Sequence, residues 1–126
     1  MAQTLFEQLG GEAKLREIID TFINRVFEDR MIGFFFRDVD QKRIREFEYQ
    51  HAAEHLGGPL RYRGRPLDEA HAKHPIRGGH FDRRKQILRE TLDDHVVPAD
   101  IRDAWLAHVE SLRRLVTGDP AGRCDD

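Results

Sequence analysis

Glu48, His51 and His55 recur at three- and four-residue spacing along a segment whose apolar residues Ile44, Phe47 and Ala52 share the same stripe. Apart from the small Ala53, this is the only apolar stripe the segment offers, so a helix here turns a carboxylate and two imidazoles toward the core. Burying such groups unpaired costs several kcal/mol. Either they emerge at the helix edge, or they line a cavity that contains something polar. A second cluster, Asp68, His71 and His74, lies along one side of a short stretch after Pro66. Arg84 is also out of place for a solvated residue, because it sits within a turn of Phe81 and Leu88 on the inward side of its segment.

Ordinary readings account for several of these groups taken singly. His95 follows a helix C-terminus, where an imidazolium complements the helix dipole. His80 reads as a helix-starting residue, His108 as a hydrogen-bonded core residue, and Arg83 to Lys85 as a solvated face. Two chemistries compete for the remainder. Glu48-x-x-His51 and Asp68-x-x-His71 each have the form of half a carboxylate-bridged di-iron site, which also needs inward carboxylates from other helices. Asp20 and Glu110 are the available ones, and neither is well aimed. Alternatively, one imidazole holds the iron of a heme, which needs a flat apolar slot and an axial nitrogen. His71 then approaches from one side, the Ile44/Phe47/Glu48 face from the other, and Phe35 and Phe36 wedge the ring edge. No Cys-x-x-Cys-His occurs, which excludes c-type covalent attachment.

The elements that position these residues read as helices throughout. Thr4-Leu5-Phe6-Glu7 has the form of a capping box opening a short helix that Gly10-Gly11 ends. From Glu12 to about Glu28, Leu15, Ile18, Ile19, Phe22, Ile23, Val26 and Phe27 fall at helical spacing. An aromatic corner, Phe34-Phe35-Phe36, precedes Asp40, which caps a second long helix running to about Leu56 before Gly57-Gly58-Pro59. Leu60 to Arg65 reads as a polar turn and Pro66 to Lys73 as a brief helix, with Pro66 suited to its first turn. Gly78-Gly79 opens a helix from about His80 to His95, and Pro98 begins the last, which carries Ile101, Trp105, Val109, Leu112 and Val116. No segment alternates as a half-buried strand does.

With 126 residues the chain fits one domain with a modest core, of which a large apolar cofactor can form part. Charged residues make up 35% but nearly cancel, at a net charge of −2. That balance argues against nucleic-acid and membrane-surface partners. No apolar run reaches the length of a membrane span, and no secretory signal is visible. Cys124 is the only cysteine, so an internal disulfide is excluded and the cytoplasm is the expected compartment.

Taken together, these residues resemble a truncated hemoglobin of the globin superfamily, and its first group in particular. The resemblance runs from Leu5 to about Leu115. Its landmarks are Gly10-Gly11, Phe22, Phe35-Phe36, Leu56-Gly57-Gly58-Pro59, Tyr62-x-Gly64, Ala70-His71, Ile76, His80-Phe81 and Val97-Pro98. Each is weak alone, but their order and spacing are specific. The resemblance implies an all-α truncated globin, a two-over-two helical sandwich over residues 1–116, with 117–126 expected as a disordered tail. It implies heme b with His71 as the proximal iron ligand. Phe36 matches the aromatic packed on the ring, Tyr62, Leu67, Ile76 and Phe81 match lining residues, and His74 falls near a propionate.

The distal side departs from the family pattern. Many relatives place a tyrosine late in the first long helix to hydrogen-bond the bound ligand, and here that position is Ile23. Ile44 is the next distal position, Glu48 replaces a frequent glutamine, and Arg84 stands where a small apolar group is usual. Glu48 and Arg84 are therefore expected to pair across a distal pocket that also includes Phe22, Ile23 and Ile44. The function expected is reversible binding of a diatomic ligand (oxygen, nitric oxide or carbon monoxide), as in oxygen transport. Nitric-oxide dioxygenation enters by resemblance alone. The alternatives are a heme-based gas or redox sensor acting in trans, a heme-free globin-fold interaction module, and a non-heme metal module. Expected partners are a gas ligand and a reductase, with the chain a monomer or weak dimer.

Overall fold

The computed structural model describes residues 3–59 and 78–113. The expected turn over 60–65, the short helix over 66–73, the end of the last helix and the tail lie outside these residues, as do Tyr62, Leu67, His71, His74 and Ile76.

The described elements are helical: α1 (Leu5–Leu9), α2 (Gly11–Glu28), a 3-10 turn (Gly33–Phe36), α3 (Gln41–His55), α4 (Gly78–Asp94) and α5 (Ala99–Ser111). The capping box that opens α1 forms as expected. The Glu7 N–H donates to Thr4 Oγ1 at 3.1 Å, and the Thr4 N–H donates back to Glu7 Oε1 at 3.1 Å. Gly10 then turns the chain at φ 127°, a conformation that L side chains rarely adopt, and α2 begins at the next residue.

α2 is the central element. Leu15, Ile18, Ile19, Phe22, Ile23 and Val26 form its buried face, and it packs against α1, the 3-10 turn, α3 and α4. α4 also packs on α5, and α5 on α3, so the α2/α3 pair lies against the α4/α5 pair. The core between the pairs is completed by Phe81, Ile87, Leu88 and Leu92 of α4 and by Ile101, Trp105 and Val109 of α5.

Two differences from the sequence expectations have physical causes. The buried stripe of α3 is Tyr49, Ala52 and Ala53, extended by Leu56, whereas Ile44, Phe47, Glu48, His51 and His55 are only half-buried. Two alanines let α3 approach α2 closely, and Tyr49 is covered by the Arg16 guanidinium 3.9 Å from its ring centroid. The charged run Arg83 to Lys85 is not a solvated face either. Arg83 pairs with Asp29, Arg84 with Glu48 and Lys85 with Glu110.

Asp29 ties the end of α2 both to the corner beyond it and to α4. One carboxylate oxygen accepts from the Met31 and Ile32 N–H groups at 3.0 and 3.1 Å, and the other accepts from Arg83 at 2.7 and 2.9 Å. The Arg83 guanidinium, opposed by burial, holds this carboxyl below its ordinary range. α3 opens on Asp40, whose carboxylate accepts from the Lys42 and Arg43 N–H groups. No helix among the described residues is long and apolar enough to cross a membrane.

Candidate functional site

α3 and α4 bring Glu48 and Arg84 together. Arg84 Nη2 donates to Glu48 Oε1 at 2.6 Å, a short charge-assisted contact, and the two side chains are 22% and 30% exposed for Arg84 and Glu48 respectively. Phe22, buried on α2, lies beneath the pair with its ring centroid 5.0 Å from the Arg84 guanidinium carbon. The cation therefore has an anion on one side and an aromatic face on another, which offsets the cost of holding it partly out of water. Ile23, the neighbour of Phe22, is buried in the α2 core.

Several apolar side chains at the surface of the core are only partly buried. Ile44, Phe35 and Phe36 are half-buried and packed against the core. Phe36 packs on Phe27 with centroids 5.2 Å apart, and Phe35 stacks on the exposed Phe34 at 4.2 Å. His80 meets Phe35 edge-on at 4.8 Å, and its buried Nδ1 has no hydrogen-bond partner among the described residues. Phe47 is half-buried under the Arg43 guanidinium at 5.2 Å. Phe81 is buried and faces the Arg113 guanidinium at 4.6 Å.

The remaining histidines are distributed differently from their ordinary readings. His95 Nε2 lies 2.9 Å from Thr21 Oγ1, so it bridges α4 to α2 in addition to following a helix terminus. His108 is not a satisfied core residue. Its Nε2 is buried with no partner among the described residues, and its ring stacks on that of His55.

Of the carboxylates a di-iron site would recruit, Asp20 is exposed and paired with Arg45. Glu110 accepts from Lys85 at 2.9 Å and from Arg113 at 2.6 Å, contacts that lower its pKa to about 2. Among the described residues no group of three or more His, Cys, Asp or Glu is placed to hold a metal ion.

Phe22, Glu48 and Arg84 are thus in one place, and Phe35, Phe36, Ile44 and Phe47 are half-buried on the corner and α3. A model of the bacterial-like globin family matches residues 4–117. The chain is also 35% identical to the group 1 truncated hemoglobin GlbN of Synechocystis, across 97% of this chain and 95% of that one. This chain belongs to the truncated hemoglobins. A second relative, the group 1 truncated hemoglobin of Tetrahymena pyriformis, is 30% identical over 92% of this chain and 96% of its own length.

Solved structures agree with this truncated hemoglobin in three dimensions. The Fe(III) form of the Tetrahymena pyriformis protein matches with a TM-score of 0.86 at 27% identity, covering 93% of this chain and 100% of that one. Crystal structures of the same protein also exist with a tyrosine changed to phenylalanine and with glutamines changed to glutamate. The 2/2 hemoglobin of a Synechococcus species, in its cyanomet state with covalently attached heme, matches with a TM-score of 0.87 at 25% identity. The all-helical two-over-two arrangement is therefore that of the family.

Sequence reasoning missed two contributors to this region. Asp29 fixes α4 through Arg83 and so sets where Arg84 emerges, and its position directly after α2 was the available signal. Tyr49, the core residue of α3, gave none, because its stripe is otherwise alanine.

Proposed function

We propose that this truncated hemoglobin holds heme b through His71 and reversibly binds a diatomic ligand, with Arg84 as the distal hydrogen-bond donor. The observation that carries the proposal is the Glu48–Arg84 pair seated on Phe22. Half-buried apolar side chains elsewhere on the core surface suit contact with a flat apolar group. Phe35, Phe36, Ile44 and Phe47 keep part of their surface outside the core, and the orphaned His80 Nδ1 stands beside them.

Heme, held by a protein imidazole, would supply an iron able to bind a small gas molecule reversibly. In this reading His71 provides that imidazole and His74 lies near a propionate. By the family resemblance, Tyr62, Leu67, Ile76 and Phe81 would line the ring with Phe36. Ile23 and Ile44 keep the ligand space apolar, since neither offers a donor. Glu48 alone would repel the partial negative charge on a bound gas. Paired with Arg84, its charge is balanced, and the guanidinium keeps further N–H groups beyond the one directed at Glu48. An arginine thus takes over the role that a tyrosine has elsewhere in the family.

Replacing Arg84 tests this assignment. In R84A, oxygen release from the reduced protein is expected to accelerate on the order of tenfold, corresponding to ~1.4 kcal/mol for a lost charged hydrogen bond. Stopped-flow displacement of oxygen by carbon monoxide measures that rate. An R84A rate equal to that of the wild type would remove Arg84 from the ligand pocket.

A further inference from the structure

One turn beyond Glu48, α3 and α5 meet through three imidazoles. His51 and His55 stand one turn apart on α3, and His108 faces them from α5. The rings of His55 and His108 are stacked, with centroids 3.8 Å apart and planes 11° from parallel. His51 lies 5.3 Å from His108 at a tilt of 48°. The Nε2 atoms of both stacked rings are buried and have no hydrogen-bond partner among the described residues. Stacked rings lie in near-parallel planes, so their in-plane lone pairs do not meet at a shared ion, and the trio is not a metal cage.

We propose that His51, His55 and His108 form a proton-sensitive latch between α3 and α5, which seats α5 while all three imidazoles are neutral and releases it when one of them takes up a proton. A proton on Nε2 of His55 or His108 creates a buried N–H⁺ with no acceptor, held against another imidazole at 3.8 Å. Two stacked imidazolium rings would repel as like charges in contact. The described charged groups acting on the trio are few. Glu48 and Glu54 of α3 favour a proton on His51 and Arg84 of α4 opposes it. From α5 the nearest carboxylate in sequence, Glu110, is engaged by Lys85 and Arg113. The backbone at Ala104 hydrogen-bonds His55.

The direction of the pH response is set by these surroundings. Burial, then the neighbouring His55 and His51, push His108 down to about 4, and burial likewise lowers His51 and His55. Above about pH 6.5 seated and released forms are both neutral and the latch is pH-independent. As pH falls through 6.5 toward 4, the released form binds protons that the seated form cannot. Its relative population then rises on the order of tenfold per pH unit for each histidine involved. The carboxylates Asp29, Glu46 and Glu110 also have lowered pKa values and act in the same sense, but they begin to lose their contribution only near their ordinary range, below about pH 5. The latch rests on the α3–α5 contact and not on the heme reading.

Trp105 reports on it directly. It is the only tryptophan, it lies on α5 one turn before His108, and it is 5% exposed. Its emission and acrylamide quenching are to be followed from pH 7.5 to 5 in the purified wild type and in H108F, which keeps a flat ring in the stack but cannot be protonated. The wild type is expected to shift to the red and gain quencher access below about pH 6.5, with the transition displaced to lower pH in H108F. Coincident curves, or a wild type that does not respond, would overturn the proposal. If H108F does not fold, the histidine ring proton resonances of the wild type decide the matter. Protonation of His55 and His108 delayed well below pH 6.5 and accompanied by amide changes in α5 supports the latch. Titration at 6.5 without those changes overturns it.

Discussion

Asp29 shows how much one side chain can organise. At 7% exposure it accepts two backbone N–H groups from the start of the corner and two from Arg83, so no lone-pair direction is wasted on solvent. Removing it strands a half-buried guanidinium and two backbone donors together. D29A is therefore expected to lower unfolding stability by about 2–4 kcal/mol in urea denaturation. Because its folded pKa is depressed, the stability Asp29 contributes is present above its ordinary range and lost as pH falls through the folded value. D29N should accordingly flatten the acid limb of the stability curve below about pH 4. A loss under ~0.5 kcal/mol in D29A would show that the contact is not maintained in solution.

At the same scale, Glu48 and Arg84 could be paired from the sequence because each stands as a charge on an otherwise inward face. Tyr49 could not be found that way. The face that packs most closely is built from Ala52 and Ala53, and small residues carry little hydrophobic signal however tightly they are buried. The larger Ile44 and Phe47 drew the reading to the half-buried stripe instead.

Element boundaries were legible wherever a cap or a glycine announced them. Thr4 with Glu7, Asp40, and the glycines at 10 and 57 carry their meaning in two to four adjacent residues, and both glycines adopt positive φ. In the turn between α4 and α5, Pro98 marks the start of α5, but nothing marks the residue that bends the chain. Val96 sits at φ 56° and is 84% exposed, an unfavourable conformation for a β-branched residue with nothing packed around it to compensate. V96G is expected to raise stability by about 1 kcal/mol, read as an increase in the urea midpoint at unchanged slope. A destabilised V96G would mean that the valine makes contacts in solution that outweigh its backbone strain. The histidine stack between α3 and α5 was illegible for a different reason. Residues 55 and 108 are far apart in sequence, and nothing local specifies which helix faces which.

For the molecule as a whole, periodicity established an all-helical chain, but the two-over-two arrangement was read from the order of landmarks shared with a family. That distinction has a physical basis. Amphipathic spacing says which face of a helix is buried, whereas the partner of that face depends on connections and on whatever fills the space between pairs. Here α2 carries enough apolar surface to organise four neighbours. Phe35, Phe36, Ile44 and Phe47 are left half-buried. A cofactor filling such a space would add to stability by mass action, as any ligand of the native state does. His71 is the residue on which that account turns. The most direct test is the optical spectrum of the purified protein, supplied with hemin and recorded oxidised, reduced and carbon-monoxide bound, beside the same set for H71A. A saturable Soret band in the wild type that weakens or shifts in H71A is the expected result. A wild type that gives no saturable Soret band, or an H71A set identical to it, would contradict the proposed heme site and its ligand.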